Sequence, residues 1–214
     1  MKKYKIGLDI SSIAWFVLLE QNKIIDICQV PQKTKDKNLN KLLTQLKKDS
    51  KIKGNKTKCE KEIKKINDKI LNLPYDCNRV FEWLSKYRDN IKIVNIEKPL
   101  LQSFNPTSIQ SLVKMGEIMG VVRTMLDLLN IPYNIISISE WRSNFDYKKL
   151  SKEEIQELIK KTGKAKGEIT REFAKNESIR ISEEKIDNIK DWYILPRCSK
   201  INNDIVESSL LGLV

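Results

Sequence analysis

The chain contains no histidine. That absence removes Ser-His-Asp and Cys-His catalysis, histidine-ligated zinc and histidine general-base chemistry. Its four cysteines, Cys28, Cys59, Cys77 and Cys198, make no CxxC pair and no other zinc spacing. They are expected to be reduced and structural. No apolar run approaches the roughly 20 residues that a membrane-spanning helix needs. Met1-Lys2-Lys3 has the charge of a signal start, but Asp9 interrupts the apolar stretch behind it. The expectation is a soluble, cytoplasmic protein.

Any catalysis must therefore come from carboxylates, lysines, hydroxyls or metal-bound water. At 214 residues, the chain is long enough for one domain with a real core and a protruding insert. The net charge of +12 and a pI near 9.4 suit an anionic partner. Nucleic acid is the first candidate and an anionic membrane surface the second. Lysine far outnumbers arginine, a bias that reflects ancestry more than mechanism.

Three strands are predicted near the start: Lys3–Asp9, the nearly continuous apolar run Ile13–Leu19, and Ile24–Val30, forming an antiparallel meander closed by Pro31. Residues 33–69 change character, with fourteen lysines against five acids, a local balance of +9. Gly54-Asn55 is expected to break this stretch, and Ile63, Ile66 and Ile70 predict an amphipathic helix stopped by Pro74. Its lysines fit either a solvated face or contact with nucleic-acid phosphates; lacking arginine and interleaved aromatics, they do not fit base reading. Further on, the pattern predicts a helix over Cys77–Arg88, a strand Ile91–Glu97, a long helix from Asn105-Pro106-Thr107 to Leu129, and a strand Tyr133–Ile138. Helices are also predicted over 151–161, 168–178 and a closing segment NNDIVESSLLGLV, while 179–201 shows no clear pattern. Gly116 and Gly120 make a flat spot on the long helix, suited either to packing on the protein's own sheet or to a dimer interface.

Four acids stand out. Asp9 lies in YKIGLDI, Glu97 ends IKIVNIE, and Asp204 and Glu207 sit three apart on the closing helix, where i and i+3 share a face. A sheet packed on that helix would bring them together. Burying several like charges is costly unless cations neutralise them, so the set points to a divalent-metal site. Singly, each has a plain alternative: a turn residue, a surface charge, a helix cap.

The element order (three strands, helix, strand, helix, strand, helix) is that of the ribonuclease H-like α/β fold, a five-stranded mixed sheet flanked by helices, here with a lysine-rich insert. At this level the sequence resembles the RuvC-type Holliday junction resolvases, particularly their phage-borne branch. IGLDISSIAWFVLLE, IVNIEKPLLQSFN, SIQSLVKMGEIMGVV, SEWR and NDIVESSLLGLV carry the resemblance, which covers about a third of the chain. It implies that Asp9, Glu97, Asp204 and Glu207 are catalytic and hold two Mg²⁺ or Mn²⁺ ions, as hard oxygen ligands favour. It also implies DNA contacts from the TGKAKGEITREF stretch and the residues just after it, with Lys164, Lys166, Arg171 and Lys175, where one residue must be deleted to align Lys166. The loop after Glu97 would supply a wedge, with Leu100, Leu101 and Phe104 as candidates. The implied activity is endonucleolytic resolution of four-way DNA junctions by paired nicks. A junction's two-fold symmetry implies a homodimer, and the likeness to the phage-borne branch implies action in the cytoplasm of a host cell.

Three other functions share parts of this pattern. A general branched- or flap-DNA endonuclease would carry the same acids. A nucleic-acid-binding module with a decayed site would not need all four. An actin-like or sugar-kinase ATPase would share GLDISS but also needs a second glycine-rich loop, which is missing. An HNH nuclease module would need histidines.

Overall fold

The computed structural model describes residues 2–10, 14–33, 36–51, 56–71, 73–99, 106–196 and 198–214. They fall into two compact units, Met1–Val30 with Val80–Val214, and Pro31–Arg79.

The first unit opens with β1 (Tyr4–Leu8), β2 (Trp15–Glu20) and β3 (Lys23–Gln29), an antiparallel meander as the sequence predicts. Phe16, Val17, Leu18 and Leu19 are all buried, because β2 is covered on both faces.

The second unit contains β4 (Gln32–Lys33), α1 (Lys37–Asp49), α2 (Lys56–Leu71) and β5 (Tyr75–Asp76), with β4 and β5 paired as a short antiparallel ribbon. α2 matches the expected amphipathic helix. α1 was not anticipated from composition. It begins where the Asp36 side chain accepts from Asn38 N and Leu39 N, satisfying two orphan donors. The expected break at Gly54-Asn55 lies outside the described residues.

The chain continues with α3 (Asn78–Tyr87), β6 (Ile91–Glu97), the long α4 (Pro106–Leu128) and β7 (Tyr133–Ile136). Trp83 Nε1 and Tyr87 Oη both donate to Asp26 Oδ2 at 2.9 Å, fixing α3 on β3. β6 runs parallel to β1, and β7 parallel to β6. The strand order β3-β2-β1-β6-β7 is the ribonuclease H-like α/β arrangement, a mixed five-stranded sheet flanked by helices.

Four helices finish the fold: α5 (Ile138–Arg142), α6 (Lys152–Thr162), α7 (Lys166–Lys185) and α8 (Asn203–Leu213). α5 occupies the end of the segment predicted as strand. Ser137 and Glu140 form a capping box that starts a helical turn instead. α6 has the same device in Ser151 and Glu154, and ends at Gly163 with φ 69°, a left-handed cap that favours glycine. α7 runs well past the predicted 178, because Ile181 and Ser182 are buried on its inner face. Among the described residues, no helix is long and apolar enough to cross a membrane.

α8 is the helix that matters most for the site. It lies across β1 and β2, with Val206, Leu210 and Leu211 in one apolar cluster with Val17, Leu19, Ile24 and Trp141. The approach is so close that a Cβ on Gly7 would overlap Ser208 O and Gly212 N. A Cβ on Gly212 would in turn overlap Leu19. Asn95 on β6 adds a tie, its amide donating to Leu211 O at 3.1 Å.

Candidate active site

The glycine in GLD explains how the acids meet. Gly7 lets α8 lie against β1, and the residue two further on, Asp9, leaves the strand end beneath the helix's first turns. Asp9 N donates to Ser208 Oγ at 2.9 Å, pinning the two elements beside the carboxyl. Glu97 is the last residue of β6, the parallel neighbour of β1, so both acids emerge at the same end of the sheet. Asn202 caps α8 through Asp204 N and Ile205 N, which places Asp204 and Glu207 in its first two turns.

The structure brings all four predicted acids into electrostatic contact. Asp9 is 8% exposed. Burial raises its carboxyl well above the usual range, and the charges of Glu97, Glu207 and Asp204 raise it further, with Arg142 opposing. Burial likewise pushes Glu97 up to about 7, against the pull of a hydrogen bond from Trp141. A cluster that resists its own ionisation is under demand for positive charge.

Protein donors meet part of that demand. Trp141 Nε1 donates to Glu97 Oε2 at 2.7 Å. Arg142 Nη2 donates to Glu207 Oε1 at 2.8 Å, and Ser178 Oγ lies 3.2 Å from the same oxygen. Tyr147 Oη, 3.0 Å from Ser178 Oγ, extends the chain of hydroxyls. The Arg142 guanidinium also sits over the Trp141 and Tyr147 rings at 5.2 and 5.3 Å. Among the described residues, no three or more His, Cys, Asp or Glu side chains are gathered into a closed metal shell. The acids are near enough to repel one another, while Glu97 accepts from Trp141 and Glu207 from Arg142. All donors are carboxylate oxygens, the set that suits Mg²⁺ or Mn²⁺ rather than zinc.

Arg142, Ser178, Ser208 and Tyr147 surround the acids and are not among the residues that sequence reasoning singled out for the site. SEWR contained the one available signal, a Trp-Arg pair directly after the last strand. Arg142 and Glu207 are 65 positions apart, and Ser178 lies 29 from Glu207, distances no local pattern can bridge.

The predicted DNA-contacting residues occupy a different stretch. Lys164 precedes α7 and is engaged by both Glu172 oxygens, at 2.6 and 2.8 Å. Lys166 and Arg171 are exposed on the first turns of α7, and Lys175 is half-buried on the next. Lys166 is twelve residues from Ser178, or roughly 18 Å along the helix axis, beyond the reach of one lysine from Glu207. Leu100, Leu101 and Phe104 lie outside the described residues. Beside Arg142, a cavity of about 610 Å³ is walled by Phe145, Tyr147, Ile155 and Phe173, with Lys148 and Lys149 among its lining.

No protein-family model matches this chain, and no curated protein does. Among solved structures, it is similar to Thermus thermophilus RuvC in complex with Holliday junction substrate (TM-score 0.45, 10% identity, covering 97% of this chain and 89% of that one). It is also similar to a second Thermus thermophilus RuvC structure (TM-score 0.45, 11% identity, covering 96% and 90%). Likeness at this level leaves the activity to be argued from the site.

Proposed function

We propose that the protein is a divalent-metal-dependent endonuclease acting on branched DNA, and that it resolves four-way junctions by paired nicks. One observation carries the reading: four carboxylates, from two neighbouring strand ends and one helix, share a site in which Asp9 is buried and the other three charges repel it, while Arg142 offsets part of that repulsion. Structural acids do not need such company. The charge of the four carboxylates is right for a cation that in turn holds a phosphodiester.

Asp9, Glu97, Asp204 and Glu207 would hold Mg²⁺ or Mn²⁺. When bound, the metal supplies charge neutralisation and water activated for attack on a phosphodiester. The chain's own residues prepare the site. Trp141 fixes the Glu97 rotamer through its indole N–H. Ser208 locks the backbone of Asp9 to α8. Arg142 holds Glu207 and offsets part of the repulsion, and its planar guanidinium is also suited to a phosphate oxygen. Lys166, Arg171 and Lys175 would contact phosphates flanking the cut rather than the reacting one.

Paired cutting requires two copies. The outer face of α4 supports this: Val113 is 58% exposed, and Gly116 and Gly120 have open space where a Cβ would stand. A second backbone could approach closely there. A general branch or flap endonuclease would use the same acids, and substrate choice separates the two. The test is nicking of a labelled four-way junction, a matched linear duplex and a Y-fork, with Mg²⁺ and with EDTA. Symmetric, metal-dependent nicks confined to the junction support the resolvase. Equal cutting of the fork would leave the nuclease and remove the junction preference.

A further inference from the structure

The positive charge of this protein is segregated. Residues 33–69 hold +9 of the net +12, leaving +3 for the rest of the chain. Genome bias toward lysine does not explain this, because α7 in the same chain balances five acids against five bases.

Within the unit Pro31–Arg79, α1 and α2 pack together as a helical hairpin. Leu39, Leu43 and Leu46 on α1 and Cys59, Ile63 and Ile66 on α2 are half-buried or buried, at the three-and-four spacing of a seam. Opposite the seam, Lys37, Lys41 and Lys48 fall within roughly 40° of one another on α1, and Lys61, Lys65 and Lys69 within roughly 80° on α2. All six are exposed. Neighbours four residues apart stand roughly 6 Å apart along the axis, so each helix presents a row of cations.

Residues 33–69 hold five acids against fourteen lysines, and three of the five are engaged, one of them by a lysine of the row. Asp36 caps α1, Asp49 accepts from the Gln45 amide at 3.0 Å, and Glu62 pairs with Lys65 at 3.2 Å. Rows of like charge repel, and a polyanion relieves that repulsion. The rows carry no aromatic residue and no arginine, so they are built to hold phosphates rather than to read bases. They also lack the Trp, Phe and Leu face of a helix that lies in a membrane; Leu42 is the one exposed large apolar side chain on the two helices among the described residues.

We infer that the unit Pro31–Arg79 is a sequence-independent clamp for the phosphate backbone of duplex DNA, distinct from the carboxylate site. It rests on the reading of the protein as one that acts on DNA, and it adds a second contact surface to that reading.

The test uses the full chain with Lys37, Lys41, Lys48, Lys61, Lys65 and Lys69 all changed to glutamine, beside a matched set changed to arginine. Duplex binding is measured in EDTA over a range of KCl. Each phosphate contact contributes about 0.9 to the slope of log K against log salt. The glutamine set is expected to lose about 2–4 units of slope and at least about tenfold in affinity near 0.15 M salt, while the arginine set keeps both. Single-turnover nicking in Mg²⁺ at saturating DNA is expected to keep its rate in both sets. An unchanged slope in the glutamine set overturns the clamp, as does equal loss in the arginine set. Preference for phosphatidylserine vesicles over duplex overturns it too. If the wild type never nicks but the slopes still separate, the nuclease reading fails and the clamp stands.

Discussion

Asp9 sits where its own charge is opposed, which sets a trade between stability and activity. Asp9→Asn keeps the shape and removes one repelling charge. It is expected to abolish metal-dependent nicking, leave junction binding intact, and raise the metal-free melting temperature at pH 7.5 by several degrees. Nicking assays and thermal melts on the same preparation check this; a mutant that still cuts shows the site to be misassigned. Trp141→Phe is subtler. The ring stays buried, but Glu97 loses a charge-assisted hydrogen bond whose net contribution is about 1.5–3 kcal/mol. Without that donor, Glu97 rises further above about 7, so the pH profile of nicking is expected to move to higher pH. An unmoved profile would show that Glu97 does not set it. The acids themselves were legible in the sequence, because each closes a strand or opens a helix with distinctive composition. Arg142 and Ser178 were not, since their roles exist only once α5 and α7 are packed against α8.

At the scale of elements, the path from sequence to site runs through Gly7. Gly7→Ala would force its Cβ into Ser208 O and Gly212 N, both backbone atoms that cannot step aside. It is expected to destabilise by about 2–3 kcal/mol, within the range for overpacked interiors, and to disable nicking by displacing α8 from β1. Gly116→Ala is the control: it meets nothing within 4 Å, and a helical Gly→Ala change is worth about 1 kcal/mol of stability. Urea melts of both variants settle the contrast, and equal effects would refute the close-approach argument. The strands were read well because their apolar runs are long and β-branched. α1 was hidden by its Lys, Asn and Thr content; an Asp36 cap and a seam supplied by α2 make it helical. The far end of α7 was hidden for a related reason: IRISEEK has mixed polarity, and burial of Ile181 and Ser182 against other elements decides it.

For the whole molecule, opposite pKa shifts confine stability to a window. Asp9 and Glu97 are raised, so they bind protons more tightly folded than unfolded. Their contribution is complete below the ordinary carboxylate values near 4; that of Glu97 is lost as pH rises through about 7, and that of Asp9 as pH rises through its own raised folded value. Glu177, lowered by its hydrogen bonds from Arg180, and Glu183, lowered by Tyr193, act the other way. Their contribution is present above about 4.3 and is lost as pH falls through their lower folded values. The metal-free protein is expected to be most stable between about pH 4.5 and 6, and Mg²⁺ or Mn²⁺ at pH 7.5 is expected to raise its melting temperature. Calorimetric scans across pH with and without metal measure both; a flat profile between pH 5 and 8 would contradict the repelling cluster.

The most direct test of the central claim is cleavage of a labelled four-way junction by wild type and Asp9→Asn, with Mg²⁺ and with EDTA. The site described here requires nicks by wild type in Mg²⁺ alone, with none from the mutant although it still binds the junction. Tight binding with no cutting by wild type under any divalent metal would make the four carboxylates structural, and the protein a DNA-binding module.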